Sequence, residues 1–144
     1  MILSLGVRTS NTTITEAAWE IITGATPGRA RLLELGVFAA AATATNLGLG
    51  FPAVAGVTPT SPVDFEPEDS DNVLASGVVQ SALAWGTSPT VPAKFFRRIA
   101  LPSTIGTGVI WTFPKGLVIP VSSSIVLWNI TANPVMDVYA VIEI

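Results

Sequence analysis

Short runs of Val, Ile, Thr, Leu and aromatic residues, punctuated by Gly and Pro, extend along the whole chain. That rhythm predicts strands rather than helices. Eight are expected: 12–23, 31–41, 43–50, 77–85, 94–101, 107–113, 116–121 joined loosely to 124–131, and 136–144. Side chains one residue apart on a strand point to opposite faces, so alternation orients several of them. In the first, Ala17, Trp19 and Ile21 share a face opposite Glu16 and Glu20, which predicts a half-buried strand. Leu33, Leu35 and Val37 form a second apolar face, and Val79, Leu83 and Trp85 a third. The last strand sets Met136, Val138, Ala140, Ile142 and Ile144 opposite Asp137, Tyr139 and Glu143.

The run 125–130 is apolar on both sides, with Ile125 and Leu127 on one and Val126, Trp128 and Ile130 on the other. A strand in a two-layer sandwich turns only one face to the core, so the second face needs a cover. A neighbouring subunit packed on Val126, Trp128 and Ile130 would supply it, and so would a loop of the same chain. Phe113-Pro114-Lys115-Gly116 suits a type I turn, and Ala132-Asn133-Pro134-Val135 marks another reversal. Pro120 predicts an edge or a bend. Only the alanine-rich stretch 37–46 offers a competing helical turn.

The segment 54–73 stands apart. It carries Pro59, Pro62 and Pro67 and five of the ten acidic residues, Asp64, Glu66, Glu68, Asp69 and Asp71. A long exposed loop between the third and fourth strands is expected there, within a single domain spanning 1–144.

Composition sharpens this picture. The chain has 144 residues, 49% hydrophobic and 12% charged, with a net charge of −3. Seven basic and ten acidic side chains would cover only about a quarter of the roughly 7,000 Å² that a monomer of this mass exposes. Much of the surface must be apolar or merely polar, which predicts an obligate oligomer or a part of a larger assembly. Charge-free stretches at 36–63, 72–93, 99–114 and 116–136 are too broken by Pro and Gly to read as membrane-spanning helices. The first ten residues lack the basic start and apolar stretch of a signal peptide. No outer-membrane barrel with aromatic girdles is expected either.

There is no His and no Cys, which removes His-based triads, thiol nucleophiles, Cys/His zinc sites and iron–sulfur clusters. The acidic segment lacks the spacing and the central glycine of an EF-hand, so it reads as a solvated loop in preference to a calcium site. It is also a poor frame for the paired carboxylates of glycoside hydrolysis. No catalytic, metal or cofactor residues are therefore expected, and no enzyme. Lys94, Arg97 and Arg98 form the one basic cluster. Alternation places Lys94 and Arg98 with Phe96 and places Arg97 with Phe95 and Ile99. Arg97 then calls for a partner, either Glu34 or another acid within the chain, or an anionic surface on another protein. Three cations in an acidic protein do not make a nucleic-acid footprint. Asn11-Thr12-Thr13 and Asn129-Ile130-Thr131 match the glycosylation pattern, the second inside a strand. Gly48-Leu49-Gly50 and Gly106-Thr107-Gly108 read as turns, not phosphate cradles. The four tryptophans read as core or interface anchors, with an exposed indole as a carbohydrate platform the other option.

All-β strands with one long connection fit an antiparallel β-sandwich wired as a Greek key or jelly roll. The stretch "LPSTIGTGVIWTFPKGLVIPVSSSIVLWNITANPVMDVYAVIEI", with "RLLELGVFAAAATATNLGLGFPA", resembles small tailed-bacteriophage virion proteins of the capsid cement or decoration type. The resemblance implies a single jelly roll that assembles as a homotrimer on the outer surface of the capsid and clamps major capsid protein subunits. On that expectation Val126, Trp128 and Ile130 form the subunit interface, and Lys94, Arg97 and Arg98 contact the capsid. The alternative is a tail or fibre adhesin whose jelly roll binds host carbohydrate.

Overall fold

A computed structural model describes residues 1–10, 16–26, 29–132 and 134–144. The strands are β1 (Ile2–Arg8), β2 (Ala17–Thr23), β3 (Ala30–Ala39), β4 (Thr45–Gly50), β5 (Val57–Pro59), β6 (Val63–Asp64), β7 (Glu66–Pro67), β8 (Val79–Ala82), β9 (Trp85–Thr87), β10 (Arg97–Leu101), β11 (Gly108–Ile119), β12 (Ser124–Asn129) and β13 (Met136–Glu143). One sheet runs β11-β3-β13-β1-β7 and the other β10-β4-β12-β2-β8-β6, with β5 and β9 forming a separate ribbon. Every pairing is antiparallel.

Eight of these strands nest in sequence. Their sheet orders are β1-β13-β3-β11 and β2-β12-β4-β10, which is the wiring of a jelly roll. The other five strands come from a single excursion between β4 and β10. The antiparallel sandwich expected from the strand pattern is therefore present, and its jelly-roll wiring is explicit.

The core lies between the sheets. Leu3, Leu32, Leu35, Val37, Trp111, Ile119, Val138, Ala140 and Ile142 project from one side, and Trp19, Ile21, Leu47, Leu49, Ile125 and Leu127 from the other. On β13 the expected alternation holds, with Met136, Val138, Ala140 and Ile142 buried and Asp137 and Glu143 exposed. Phe65, between β6 and β7, is 1% exposed and stacks on Trp19 with ring centroids 6.4 Å apart. One residue thus carries the chain from the edge of one sheet to the edge of the other and plugs the seam between them.

Several expectations are corrected. β1 had no counterpart among the expected strands, yet it pairs along its whole length with β13. Phe113-Pro114-Lys115-Gly116 is not a hairpin turn. Residues 108–119 form one strand, and the register against β3 shifts between Thr112 and Leu117, so Pro114, Lys115 and Gly116 form a bulge. Gly116 has φ +71°, which the bulge requires. The real break comes after Pro120, where the chain changes sheets before β12. Residues 77–85 split into β8 and β9, and β10 begins only at Arg97. The segment 54–73 is not wholly an exposed loop, because it contributes β5, β6, β7 and the buried Phe65. No helix occurs in 37–46. Asn11-Thr12-Thr13, the first part of strand 12–23, and Asn133 of the 132–135 reversal lie outside the described residues.

Candidate interaction surfaces

β12 is buried on both faces, and the chain itself supplies the second cover. Val126 is fully buried and Trp128 is 9% exposed. Both pack with Ala17 and with the half-buried Trp85, Phe95 and Ile130. Residues 52–59 and 83–96 form this cap through the β5–β9 ribbon and a bridge between Pro52 and Pro92. Sequence explains how the cap sits so close. Gly48, on β4, leaves no room for a Cβ beneath the Phe95 ring, and Gly50 leaves none beneath Lys94 O and Pro92. Gly48-Leu49-Gly50 is therefore strand with its side chains shaved off, not a turn.

A carboxylate fastens the cap. Glu20 was expected on a solvated face of β2 but has no exposed surface. Its Oε1 accepts from the Gly56 N–H at 3.0 Å and the Ser124 hydroxyl at 2.6 Å, and its Oε2 accepts from the Trp85 indole N–H at 2.6 Å. Two of those donors belong to the cap. Buried charge is tolerated only with such partners.

This arrangement corrects the expected subunit interface. Val126 is unavailable to any partner, and Trp128 offers only an edge. What remains accessible is the rim, where Val91, Phe95, Trp128 and Ile130 line a trough of about 370 Å³. Phe96, 42% exposed, packs edge-on against Phe51 at 5.2 Å and takes no part in this trough, whereas Val91 is 53% exposed and stands on it with Phe95. Beside them the Arg98 guanidinium lies over the Phe95 ring at 5.7 Å, and Lys94 is exposed.

The basic cluster is divided. Arg97 and Arg98 alternate on β10, but Lys94, Phe95 and Phe96 precede the strand, so the faces assigned to them from alternation do not apply. Arg97 is exposed and forms no ion pair with Glu34. Its guanidinium sits over the Phe113 ring of β11 at 4.8 Å and donates to Phe96 O at 2.9 Å. Arg97 thereby bridges the edge strands of the two sheets, above a groove of about 380 Å³ lined by Phe113, Pro114, Lys115, Gly116 and Leu117.

Glu34 is engaged on the outer face of the other sheet, where it accepts from the Tyr139 hydroxyl at 2.6 Å. That bond, with burial and the Glu34 charge adding to it, pushes the phenol up to about 12. The Tyr139 ring lies where a Cβ on Gly36 would be. A shallow trough of about 410 Å³ runs beside it, lined by Gly6, Val7, Arg8, Phe38, Asp137 and Val138. Arg8 and Asp137 form a two-pronged ion pair at 2.7 and 2.8 Å, which holds the Asp137 carboxyl below its ordinary range. The tryptophans offer no comparable platform, since Trp19, Trp111 and Trp128 are buried and Trp85 is tied to Glu20.

Among the described residues no three His, Cys, Asp or Glu side chains gather to hold a metal ion. Within the acidic segment Asp64 accepts from Ser76, Gly77 and Gln80, and the Ser76 hydroxyl and Gly77 amide in particular hold its carboxyl below the ordinary range. Asp69 caps its own turn through the Asp71 amide and Asn72. Asn129, in the second glycosylation pattern, has no exposed surface.

The fold and its surfaces define a jelly-roll domain with an internal cap and several shallow, partly aromatic contact areas. Comparison of the chain with protein-family models, with curated proteins and with solved structures finds no match.

Proposed function

We propose that the chain is a structural virion protein, a cement or decoration protein that oligomerises on the outer surface of a capsid and reinforces it by bridging major capsid protein subunits. The observation that carries this reading is the rim of the cap. It gathers Val91, Phe95, Ile130 and the edge of Trp128 with Lys94 and Arg98, and neither cation has an ion-pair partner among the described residues. Aromatic, aliphatic and Arg side chains around one shallow depression are the composition of a protein–protein contact centre. Jelly rolls recur in viral capsid proteins, which is an analogy of fold only. Many such contacts repeated over a shell sum to a strong clamp although each is weak.

The test is cosedimentation with assembled capsids of the virus that, on this reading, encodes the chain. The protein should pellet with the capsids, and Lys94→Glu with Arg98→Glu should weaken binding about tenfold or more. Protein that stays in the supernatant at saturating capsid would overturn the proposal.

A second reading, a tail or fibre adhesin for host carbohydrate, is favoured by one specific feature. The trough beside Tyr139 joins an aromatic ring to the Arg8–Asp137 pair, and a sugar needs both an apolar face and polar edges. Glycan-array binding lost in Tyr139→Ala would support it.

A further inference from the structure

The two sides of the sandwich carry opposite charge, and the sequence shows why. Between Arg31 and Lys94 the chain has no Lys or Arg, and between Asp71 and Asp137 it has no Asp or Glu. The topology then sorts these two compositions onto opposite flanks. β6 and β7 are edge strands of the two sheets on one side, and β10 and β11 are edge strands on the other. The β6–β7 flank and the turn that follows it expose Glu66, Glu68, Asp69 and Asp71. The β10–β11 flank exposes Arg97 and Lys115 over the apolar floor of Phe113 and Leu117. At about 4.8 Å per strand the flanks stand roughly 20 Å apart, more than twice the Debye length of about 8 Å at physiological salt. They cannot neutralise each other within one molecule.

We propose that copies of this chain associate head to tail, the acidic β6–β7 flank of one seated on the basic β10–β11 flank of the next. The proposal deepens the reading of the chain as an assembly subunit and rests on that reading. Its occupant is a second copy because the complement of each flank is the other flank, in apolar groups as well as charge. Val63 and Val73, 49% and 90% exposed, accompany the carboxylates, while Phe113 and Leu117 accompany the cations. Glu34, which lies opposite Thr112 across β3 and β11, is the acid nearest the basic side, and it is held on the sheet's outer face by the Tyr139 hydroxyl, not in the groove. The contact is heterologous, so its repetition builds a ring where the rotation between copies closes and an open filament where it does not, instead of stopping at a two-fold dimer. A strand as long as β11, across two sheets about 10 Å apart, gives a side wall of several hundred Å². With side chains added, that approaches the roughly 800 Å² per partner of a stable interface. Arg98, on the opposite face of β10 from Arg97, stays free for the shell.

The bulge at Pro114, Lys115 and Gly116 would also serve to keep β11 from pairing with a stray strand, and the variants separate that role from docking. The full chain is measured by light scattering and sedimentation velocity at micromolar concentration, at about 50 mM and about 500 mM salt. The wild type should exceed the 15.0 kDa of one chain and shed mass as salt rises. Arg97→Glu with Lys115→Glu, and separately Glu66→Lys with Glu68→Lys, should each weaken association about tenfold or more. Mixing the two variants should restore a complex, because each keeps one intact flank. Lys115→Glu alone leaves Arg97 on the Phe113 ring, so a weaker effect of the same sign is expected from a variant with no reason to misfold.

A wild-type monomer, an oligomer indifferent to both double variants, or a mixture that stays dissociated would overturn the head-to-tail contact. Irregular aggregation of the Lys115 variant would assign the bulge to edge protection and overturn it as well. The same variants are put through capsid cosedimentation. Capsid binding that persists without the flank contact leaves the cement reading standing, whereas its loss in the wild type strikes that reading alone.

Discussion

Replacing Glu20 by Gln keeps the shape of the side chain and removes one of its acceptor oxygens. The three donors around it are the Gly56 amide, the Ser124 hydroxyl and the Trp85 indole. The hydroxyl can turn to accept, but the amide and the indole cannot. With the Gln oxygen toward Gly56, its NH₂ meets the Trp85 N–H, and with the amide flipped it meets the Gly56 N–H. One buried donor is left facing a donor in either orientation, at a cost of about 1–3 kcal/mol. Urea unfolding followed by tryptophan fluorescence should show that loss as a lower midpoint with an unchanged slope. A loss of about 2 kcal/mol would lower Tm by roughly 4–8 °C in a domain of this size. Trp85→Phe removes the indole donor, so in the double variant the Gln can point its NH₂ at the ring and part of its penalty returns as favourable coupling. A Glu20→Gln protein within about 0.5 kcal/mol of wild type, or strictly additive penalties, would refute the picture of Glu20 as the cap's fastening.

Two other expectations follow from single side chains. Phe65→Ala empties the plug between the sheets and should cost about 3–5 kcal/mol in the same urea assay, and a loss under about 1 kcal/mol would mean that the seam closes without it. Tyr139 is the only tyrosine, so ultraviolet titration reads it cleanly. Its folded value lies above the unfolded one, so its contribution to stability is complete below about pH 10 and disappears as pH climbs through about 12. Tyr139→Phe should abolish that alkaline limb, and a phenol titrating at its ordinary value would disprove the Glu34 bond.

The sandwich was legible because alternation survives wherever one face meets water. β13 is the clearest case, with buried Met136, Val138, Ala140 and Ile142 against exposed Asp137 and Glu143. β1 carries the same signal in Leu3, Leu5 and Val7 against Ser4, Gly6 and Arg8, and it was open to the same reading. β2 was open to misreading because its polar position, Glu20, is buried, and no local rule distinguishes a solvated glutamate from one that three distant donors satisfy. The bulge in β11 was disguised by Pro114, Lys115 and Gly116, which form a good turn locally and become a bulge only because β3 continues alongside them. The charge on each flank is plain in the sequence, but which flank each charge occupies depends on the sheet order. The excursion between β4 and β10 sets that order.

The cap also decides which substitutions can test function at all. Trp128 supports the cap beside the fully buried Val126, so Trp128→Asp puts an unpaired charge into a closed apolar cluster and should cost about 3 kcal/mol or more, or prevent folding. Dispersal of an oligomer by that variant would report lost structure, not a lost contact. Val91 sits on the rim of the same trough and is 53% exposed, so Val91→Asp should leave stability within about 0.5 kcal/mol. If the rim meets the capsid, Val91→Asp lowers cosedimentation while the urea midpoint stays put. A Trp128→Asp protein as stable as the wild type would instead mean that the cap lifts from the sheet in solution, and the buried face of β12 would then be available to a partner.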